Sequence, residues 1–504
     1  MGTRNVVHKN AYFDSVALMR VAAQLNDQDG VDAASLMMGT DANRDLLEDA
    51  GLLTDDGTLA GPNDLIVAVR GEDAAADAAL EAASSALNGP PAADAPHTDS
   101  AAPAVRRLAA APPDTNLALI STPGRYAAAE ALKALNRGMH AFIFSDNVPL
   151  DQEITLKQLA TERGLLVMGP DCGTAIINGH PLGFANAVRP GDVGLIGASG
   201  TGLQQVSSLL HTLGAGVSQA IGVGSHDLSS EVGGLSMLSA FDALDADPAT
   251  AVIVLLSKPP AAAVAEAVLE RAARSQKRVV VNFLGATVQA PRPSVVVAAT
   301  LREAALAAAE LSLGTRARPE PAPEAAGLAD GMGARNLLRG LYAGGTFAYE
   351  AAVLLEPQIG ELTKTAGYAP GVTPELPAEH TVLDLGDDQF TAGRPHPMID
   401  PSTRVEFLRA AVADPRTAVV ILDIVIGHGA ADDPVGPLAP VIAEATAASG
   451  GPIVIAYVVG TSADPQNMAA QSDALRQAGA VVVDSSTTAV EVAADILTKI
   501  GETR

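Results

Sequence analysis

The sequence predicts an α/β protein whose parallel sheets carry helices on both faces, preceded by a small α+β domain. From residue 117 onward, short apolar runs of strand length alternate with amphipathic helical segments, a pattern typical of parallel sheets with helical crossovers. Hydrophobic residues make up 48% of the 504 residues, whereas aromatic residues make up 3% and tryptophan is absent. The cores are therefore built from small aliphatic side chains, which suit closely packed layers of helix and sheet. A chain of this length corresponds to roughly three domains.

Two low-complexity segments, 73–113 and 315–330, divide the chain and are predicted to be linkers. Residues 1–72 are predicted to form strands at 3–8, 33–38 and 64–70 and helices at 14–24 and 41–50. The central block is predicted to contain strands at 117–121, 140–144, 165–168, 193–196, 216–222, 251–256 and 278–283, with helices between them and a last helix at 301–311. The C-terminal block repeats this alternation at 337–355, 382–385, 405–413, 418–426 and 453–458 and ends with two helices.

The charge and the cysteine content exclude several classes of partner and site. With 58 acidic and 32 basic side chains the net charge is −26, which argues against nucleic acids and anionic membranes because both need a basic surface. The single cysteine excludes an intramolecular disulfide framework and a cysteine metal cluster. The first residues contain no apolar signal core, and no apolar run reaches transmembrane length, so we expect a cytoplasmic protein.

A glycine-rich loop between a predicted strand and a predicted helix is the segment most indicative of function. The strand at 193–196 runs into Gly197-Ala-Ser-Gly-Thr-Gly202, after which the helix begins. Glycines let backbone N–H groups point toward a bound anion, and the helix start adds about half a positive charge. Ser199, Gly200 and Thr201 are therefore predicted to bind phosphate or a carboxylate without a basic residue. The alternative is a tight strand–helix turn that binds no ligand.

A second helix start of the same kind lies in the C-terminal block, at Gly344, Gly345 and Thr346. Two such helix starts in one chain can bracket one anion. Lys258 directly follows the strand at 251–256, so it is a candidate to approach that anion, and His226 in the loop after the strand at 216–222 is a candidate base, hydrogen-bond donor or phosphate carrier. A histidine in such a loop is more often an ordinary surface residue.

Further polar loops contain further candidates. Arg394 and His396 are held between prolines in a loop dense in polar residues, and His428 follows another predicted strand. The alternative for this segment is a rigid surface loop. Four acidic residues are candidate Mg²⁺ ligands, although acidic loops are more often solvated surface: Asp387, Asp388, Asp432 and Asp433. Cys172 is expected to be a small buried hydrophobic residue rather than a catalytic thiol.

Several motifs together resemble those of a known family. Met168-Gly-Pro-Asp-Cys-Gly173, the Gly197–Gly202 loop, Gly222-Val-Gly224 and the strand that ends at Lys258 occur in the order found in succinyl-CoA synthetase α-type chains. A wider match, to the FdrA family of acyl-CoA-synthetase-like proteins, covers nearly the whole chain and rests on the segments 12–15, 38–40, 121–124, 339–342 and 393–400.

This resemblance implies a Rossmann-like, CoA-binding-type domain at 114–189 and two flavodoxin-like, succinyl-CoA-synthetase-like domains at 190–314 and 331–504. In the synthetase two helix N-termini from different domains face one phosphate, and the matching positions here are Gly200-Thr201 and Gly345-Thr346. The synthetase also carries phosphate on a histidine after the strand that matches 278–283. Here the stretch 282–294, which begins with the candidate substrate-binding residue Asn282, contains no histidine. Without that histidine the three-step CoA ligase mechanism lacks its phosphate carrier.

FdrA-like proteins are also associated with oxamate carbamoyltransferase, so the resemblance implies a carbamoyltransferase subunit of purine or allantoin nitrogen catabolism. It would act on carbamoyl phosphate and an oxamate-like amide, or catalyse phosphorolysis of a ureido acid such as oxalurate. Arg394 would hold the substrate carboxylate and His396 would donate to the carbonyl or move a proton. Two alternatives stay open: an acyl-CoA synthetase acting through an acyl phosphate, and a non-catalytic scaffold with a vestigial phosphate site.

We expect no cofactor, although Mg²⁺ fits the acidic loops and CoA belongs to the synthetase alternative alone. The expected partners are small anions such as phosphate, carbamoyl phosphate and an oxamate-like acid, together with further subunits of a transferase complex. A homo-oligomer is also expected. Neither a nucleic acid nor a membrane is expected as a partner.

Overall fold

The computed structural model describes residues 2–11, 13, 15–26, 28–88, 108–318, 321–329, 332–368, 374–391, 394–448 and 450–502. The chain forms two compact units. The first consists of Met1–Pro113 and a short segment from much later in the chain, Asp388–Asp400. The second consists of Asp114–Asp387 and Pro401–Arg504. The segment 388–400, which we assigned to the C-terminal domain, therefore belongs to the first unit.

The first unit contains a three-stranded antiparallel sheet covered by helices. Its elements are β1 (Gly2–His8), α1 (Ser15–Asn26), β2 (Val31–Met38), α2 (Asp41–Asp49), α3 (Asp55–Thr58), β3 (Leu65–Gly71) and α4 (Asp73–Asn88). The strand order is β1-β3-β2, and the central strand β3 is apolar and buried along almost its whole length, which is why it lies between the other two. The small α+β domain predicted for residues 1–72 is therefore present.

Helix α4 corrects the linker predicted for 73–113, because the first sixteen residues of that segment are helical. They are rich in alanine, which has the highest helix propensity of the amino acids, so a low-complexity composition was misread as an extended linker. Ala76, Ala79 and Ala83 recur on one face of α4 and are completely buried against the sheet. Residues 89–107 lie outside the described part of the chain.

The second unit begins with a three-stranded parallel sheet of order β4-β5-β6 and the helices that cross over between its strands. Its elements are β4 (Leu117–Ile120), α5 (Gly124–Asn136), β5 (His140–Ile143), α6 (Leu150–Glu162) and β6 (Val167–Met168). This is the Rossmann-like portion predicted for 114–189. The hairpin that follows, β7 (Thr174–Ile177) and β8 (His180–Gly183), does not join this sheet but pairs with the next one, so the boundary lies earlier than 189.

The next sheet has seven strands in the order β13-β12-β11-β9-β10-β7-β8. Its remaining elements are β9 (Pro190–Gly197), α7 (Gly200–Thr212), β10 (Val217–Gly222), α8 (Leu235–Ala246), β11 (Val252–Ser257), α9 (Ala262–Arg274), β12 (Arg278–Phe283), β13 (Val295–Val297) and α10 (Leu301–Leu313). The five parallel strands β9 to β13 follow the flavodoxin-like 2-1-3-4-5 order, as predicted. In such a sheet the ligand site lies where the strand order reverses, which here is between β9 and β11.

The C-terminal sheet has six parallel strands in the order β15-β16-β14-β17-β18-β19. Its elements, together with a short helix in a connecting segment, are α11 (Ala325–Leu328), β14 (Leu337–Tyr342), α12 (Gly345–Ile359), β15 (Thr363–Lys364), β16 (Thr381–Asp384), α14 (Ser402–Ala413), β17 (Thr417–Val425), α15 (Ala439–Ala447), β18 (Ile453–Val459), α16 (Met468–Gln477), β19 (Val481–Val483) and α17 (Ser486–Glu502). The short helix α13 (Asp388–Thr391), which comes between β16 and α14 in the chain, belongs to the first unit. Apart from the short edge strand β15, this is again the flavodoxin-like order, so the α/β fold class with parallel sheets is confirmed.

Hydrogen bonds connect the two larger sheets within the second unit. The Asn186 side chain donates to the carbonyl of Ile426 (2.7 Å) and to Asp464 Oδ2 (2.9 Å), and Asp464 Oδ1 accepts from the backbone of Ala187 (2.6 Å). Thr461 Oγ1 donates to the Ala187 carbonyl at 2.7 Å. Because these groups are mostly buried and satisfied by each other, this contact fixes the position of one sheet relative to the other.

A buried carboxylate connects three helices behind the same sheets. Glu350 of α12 accepts hydrogen bonds from the backbone of Leu301 (2.8 Å) and the hydroxyl of Ser486 (2.5 Å). Leu301 and Ser486 are the first residues of α10 and α17, so the carboxylate faces the positive ends of two helix dipoles. In the part of the chain that the structure describes, no helix is long and apolar enough to span a membrane.

Candidate anion site

The first anion-binding loop lies at the carboxyl end of β9, the strand beside the reversal of strand order. The strand ends at Gly197 and α7 begins at Gly200. Ser199 is the N-cap residue, and its hydroxyl accepts a hydrogen bond from the backbone N–H of Gly202 at 2.9 Å. The first N–H groups of a helix have no partner within the helix, so those of Gly200 and Thr201 are the ones available to a ligand at this end.

The second loop, between β14 and α12, is held from behind by a buried ion pair. The carboxylate of Asp423, in β17, accepts hydrogen bonds from the backbone N–H groups of Ala343 (2.8 Å) and Gly344 (2.9 Å). Arg404 of α14 donates to the same carboxylate at 3.0 Å, and both charged side chains are almost completely buried. The two backbone donors that point inward are thus satisfied by the protein, and the start of α12 is fixed in place.

The two helix starts meet each other. The hydroxyl oxygens of Ser199 and Thr346 are hydrogen-bonded at 2.6 Å, so the first turns of α7 and α12 are directly joined. A Cβ on Gly344 would stand 2.8 Å from the Thr201 methyl carbon, which shows that the approach leaves no room for a side chain there. The structure therefore places the positive ends of two helix dipoles side by side, which is the arrangement predicted for bracketing one anion.

Lys258 and Asp384 flank this junction. Lys258 follows β11, the strand that pairs with β9, and its Nζ lies 3.7 Å from the position that a Cβ on Gly345 would occupy. The Oδ2 atom of Asp384 would clash with the same Cβ, so Gly345 is required for this carboxyl group to reach the start of α12. Burial raises the pKa of Asp384 to about 7, against the opposing effects of the Gly386 N–H and of Lys258.

A second polar group adjoins Lys258. The charges of His226 and Lys258 both lower the pKa of Asp171, although burial shifts it upward overall, so the three side chains share one electrostatic neighbourhood. His226 Nδ1 lies 3.5 Å from the buried carboxylate of Glu153. The His226 side chain is 63% exposed, so its ring is accessible while one of its nitrogens lies near a buried carboxylate.

The cluster behind His226 is completely buried. Lys157 Nζ lies 2.7 Å from Glu153 Oε1 and 2.8 Å from Asp227 Oδ1, and it donates to the Val223 carbonyl at 2.9 Å. Lys157 and Glu153 are one turn apart on α6, whereas Asp227 belongs to the loop after β10. The cluster therefore attaches the Rossmann-like portion to the loop that presents His226.

Two other predicted site residues take different positions. Asn282 is completely buried, and its side-chain nitrogen donates to the carbonyl of Ala298 at 3.0 Å, so this nitrogen holds the strand end. Its role toward a substrate stays a prediction. His428 is exposed, and its backbone N–H donates to the carbonyl of Ala185 at 2.8 Å. Among the described residues, no hydrogen bond or ion pair joins His428 to either helix start. The expectation for Cys172 is met, because burial raises the pKa of its thiol to about 12.

Arg394 and His396 belong to the first unit, with Asp388–Asp400. The backbone N–H of Arg394 donates to the Thr391 carbonyl at 3.0 Å, and His396 Nδ1 accepts from the backbone of Met398 at 3.2 Å. The imidazole therefore has its Nδ1 occupied as an acceptor. Their roles toward a substrate stay predictions. No grouping of acidic, histidine or cysteine residues suited to a metal ion is found in the described part of the chain, and this includes the four candidate Mg²⁺ ligands.

The residues that sequence reasoning missed are Asp384, Asp423, Arg404 and Glu153. Asp384 ends the strand β16, so its position at a carboxyl end of a parallel sheet was a usable signal. Asp423 and Arg404 lie inside a strand and a helix, and Glu153 lies inside a helix. Nothing in their local sequence distinguishes them from ordinary charged residues.

Comparison with curated proteins finds a full-length relative. YahF of Escherichia coli (strain K12) is 40% identical over an alignment of 516 positions, which covers 99% of this chain and 99% of YahF. The chain belongs to the YahF family. Family models also match: CoA-ligase at residues 341–496, CoA binding domain at 188–285, and "AllF, heavy metal-associated domain" at 1–103. Together these matches confirm an FdrA-like, acyl-CoA-synthetase-like family.

More distant relatives of this YahF-family protein match part of the chain. Subunit alpha 2 of succinate–CoA ligase [ADP-forming] from Archaeoglobus fulgidus is 27% identical over 167 residues, which cover 32% of this chain and 55% of that subunit. The solved structure of the dinucleotide-forming acetyl-coenzyme A synthetase 1 of Ca. Korarchaeum cryptofilum, in complex with phosphate and ADP, has 16% identity and a TM-score of 0.35, covering 79% of this chain and 87% of that one.

The family matches bear on the site in two ways. The CoA-ligase range contains the Gly344–Thr346 helix start, and the CoA-binding range contains Ser199 and Lys258. The CoA-binding range also covers β9 to β12 rather than 114–189, where the resemblance had implied a CoA-binding-type domain. The matches support the CoA-ligase interpretation better than the carbamoyltransferase interpretation.

The N-terminal match raises the question of a heavy metal, and the residues present do not fit one. Residues 1–103 contain no cysteine, and soft metal ions are selected mainly by thiolate ligands. The loop after β1 is instead occupied by an ion pair, in which Lys9 Nζ contacts Asp64 Oδ2 at 2.8 Å. The backbone N–H of Asn10 donates to the other oxygen of Asp64 at 2.9 Å. We therefore assign no metal chemistry to this domain.

Proposed function

We propose that this YahF-family protein is an acyl-group transferase that binds an acyl phosphate at the junction of α7 and α12. The acyl group would pass between phosphate and an acceptor, and the principal candidate acceptor is the thiol of CoA. The forward step forms the bond between the acyl carbon and the acceptor atom and breaks the bond between that carbon and the bridging oxygen. Phosphate leaves with the electron pair, and the acceptor loses one proton.

The observation that carries this proposal is the 2.6 Å hydrogen bond between Ser199 and Thr346, which joins two helix N-termini. Each helix end favours an anion by roughly 0.3–2 kcal/mol through its dipole, and each provides backbone N–H donors. Groups positioned before the reaction stabilise the charge that develops on the leaving phosphate without reorganising during the step. Lys258 adds a positive charge beside the junction.

The CoA-ligase and CoA-binding family models support CoA as the acceptor, because they span both helix starts. When bound, CoA supplies the thiol that accepts the acyl group. The chain's own contribution is to hold the phosphate, to neutralise its charge and to exclude other orientations. These functions belong to Gly200, Thr201, Gly345, Thr346 and Lys258.

Phosphate binding by the full chain tests the site directly. Isothermal titration with inorganic phosphate compares the wild type with Gly344→Ala. Its new Cβ would stand 2.7 Å from the Phe347 ring and 2.8 Å from the Thr201 methyl carbon, so the start of α12 must shift away from that of α7. We expect phosphate binding by the wild type and at least a tenfold weaker affinity in the variant. Gly501→Ala is the control, because its Cβ meets no atom within 4 Å. Equal affinity in all three proteins would refute the site.

Turnover separates the acceptors. The protein is incubated with acetyl phosphate or succinyl phosphate and CoA, with and without Mg²⁺ and with and without partner subunits, and thioester formation is followed by its ultraviolet absorbance. Thioester formation supports the proposal. If phosphate binds and neither acyl phosphate reacts with CoA under any of these conditions, CoA is excluded as the acceptor for these acyl groups.

A second candidate is favoured by one observation in the sequence. The stretch 282–294 after β12 contains no histidine, so a mechanism that needs no phosphate carrier suits this chain. Carbamoyl phosphate is itself an acyl phosphate, and transfer of its carbamoyl group to an amide nitrogen requires the same phosphate site. Incubation of oxalurate with phosphate, again with and without partner subunits, tests this candidate through formation of carbamoyl phosphate and oxamate. A protein that binds phosphate but catalyses neither reaction would fit the scaffold alternative.

A further inference from the structure

Asp384 occupies an unusual place for a carboxyl group in a site that would bind an anion. It ends β16, beside Tyr342 of β14, and its Oδ2 reaches the first residue of α12. Its Oδ1 accepts a hydrogen bond from the Gly386 N–H at 3.0 Å, and its own backbone N–H donates to Thr365 Oγ1 at 2.8 Å. The side chain is thus fixed at the end of the helix that would receive the phosphate.

The charges around Asp384 come from several elements. Lys258, after β11, is the nearby cation, and the start of α12 adds the positive end of a helix dipole. Asp387 of the same loop and Asp423 of β17 are the nearby anions, and Asp423 is already paired with Arg404. Burial opposes the charged form of Asp384, so its pKa of about 7 lies far above that of an exposed aspartate.

A negative Asp384 and a bound anion would compete for the same donors. The carboxylate is stabilised by Lys258 and by the end of α12, which are also the groups that would neutralise a phosphate. Two negative charges at one helix end repel each other, and the burial of Asp384 weakens the screening of its charge by solvent. A neutral carboxyl group removes the repulsion and offers an O–H donor.

We propose that Asp384 makes anion binding at the α7–α12 junction dependent on a proton: the anion binds when the carboxyl group is neutral and is excluded when it is ionised. This inference rests on the proposed function, because it requires an anion at that junction. Asp384 then determines that the anion complex forms with a neutral carboxyl group, a role that no local sequence signal indicates. Proton uptake also leaves an acid in place beside the leaving group.

Sulfate is the suitable probe, because it stays a dianion throughout the range from about pH 6 to pH 9, whereas phosphate titrates near pH 7 itself. The full chain is titrated with sulfate across this range. We expect the dissociation constant of the wild type to rise about tenfold per pH unit above pH 7, because one proton is bound with each anion. The titration at pH 8 is repeated in two buffers that differ in their heat of ionisation. The difference in apparent binding enthalpy, divided by the difference in ionisation heat, should correspond to close to one proton taken up per sulfate.

Two variants complete the experiment. Asp384→Asn keeps the shape but is neutral at every pH, so its sulfate affinity should be independent of pH and about a hundredfold tighter than that of the wild type at pH 9. Asp387→Asn removes the same charge from an exposed neighbour in the same loop. Because the charge of Asp387 raises the pKa of Asp384, this variant should keep the tenfold change per pH unit, with its midpoint moved to somewhat lower pH.

The outcomes separate the two proposals. If the wild type binds neither sulfate nor phosphate at any pH, the anion site and with it the proposed function are wrong. If the wild type binds sulfate with no pH dependence and no proton uptake, the site stands and the role of Asp384 is overturned. A loss of pH dependence in Asp387→Asn equal to that in Asp384→Asn also overturns it, because general electrostatics would then explain the effect. If Asp384→Asn does not fold, the absence of proton uptake by the wild type in the buffer experiment still overturns the role of Asp384.

Discussion

Replacing Lys157 with methionine is predicted to destabilise the protein strongly. The ammonium group lies between Glu153 and Asp227, at 2.7 and 2.8 Å, and the three side chains are 0%, 1% and 0% exposed, respectively. Methionine fills much of the same volume but leaves two buried carboxylates without their cation. Breaking a buried pair in this way costs about 3–5 kcal/mol, because water cannot solvate the remaining charge. Urea unfolding followed by far-UV circular dichroism should therefore show a markedly lower midpoint for Lys157→Met.

The matched control is Lys133→Met. Lys133 also pairs with a glutamate on its own helix, Glu130 at 2.5 Å, but it is 60% exposed, so its loss should change the free energy of unfolding by less than about 1 kcal/mol. A variant that also carries Glu153→Gln and Asp227→Asn should recover part of the lost stability, since no buried charge then lacks a partner. Equal unfolding midpoints for Lys157→Met and Lys133→Met would refute this reasoning.

Three further predictions concern other sites. Arg404→Met leaves Asp423 buried without its cation, so we expect a loss of about 3–5 kcal/mol in urea unfolding and weaker phosphate binding, and unchanged binding would show that this ion pair does not hold the helix start. The Lys9 side-chain hydrogen bond, aided by two backbone N–H donors, lowers the pKa of Asp64 from 3.8 to about 2. The stability that ionised Asp64 contributes is therefore complete above pH 3.8 and is lost as the pH falls through about 2. In Asp64→Asn, acid unfolding of the first unit should no longer show this pH-dependent loss of stability. Cys172, with its thiol pKa of about 12, should resist alkylation by iodoacetamide at pH 8 in the folded protein and react after unfolding in urea, and rapid reaction of the native protein would contradict its burial.

Much of the architecture is predictable because its signals are local. Strand-length apolar runs and the flanking helices identified the parallel sheets, and a strand followed by Gly197–Gly202 and a helix identified the first helix start. The helix α4 was missed because its composition, alanine with scattered acidic residues, resembles that of a linker. The hairpin β7–β8 was missed because its two strands of four residues have too few apolar positions to show a period.

The site was only partly predictable for a different reason. Ser199 and Thr346 are 147 residues apart, and each was recognisable by its own loop. Asp423 and Arg404 form an ion pair that exists only in the folded protein. The raised pKa of Asp384 depends on its burial and on charges from other elements. For Asn282 the structure shows that the amide nitrogen is used to hold Ala298, which its position at a strand end did not reveal, and its role toward a substrate stays a prediction.

The composition of the first unit has a consequence for how the chain is made. Met1–Pro113 leaves the ribosome early, but the segment Asp388–Asp400 that completes this unit is synthesised only after residues 114–387. At ordinary elongation rates this delay is on the order of tens of seconds. During that time the N-terminal sheet exists without part of its own unit. Emergence of residue 400 from the ribosome, rather than emergence of residues 1–113, is therefore the event after which the first unit can be completed.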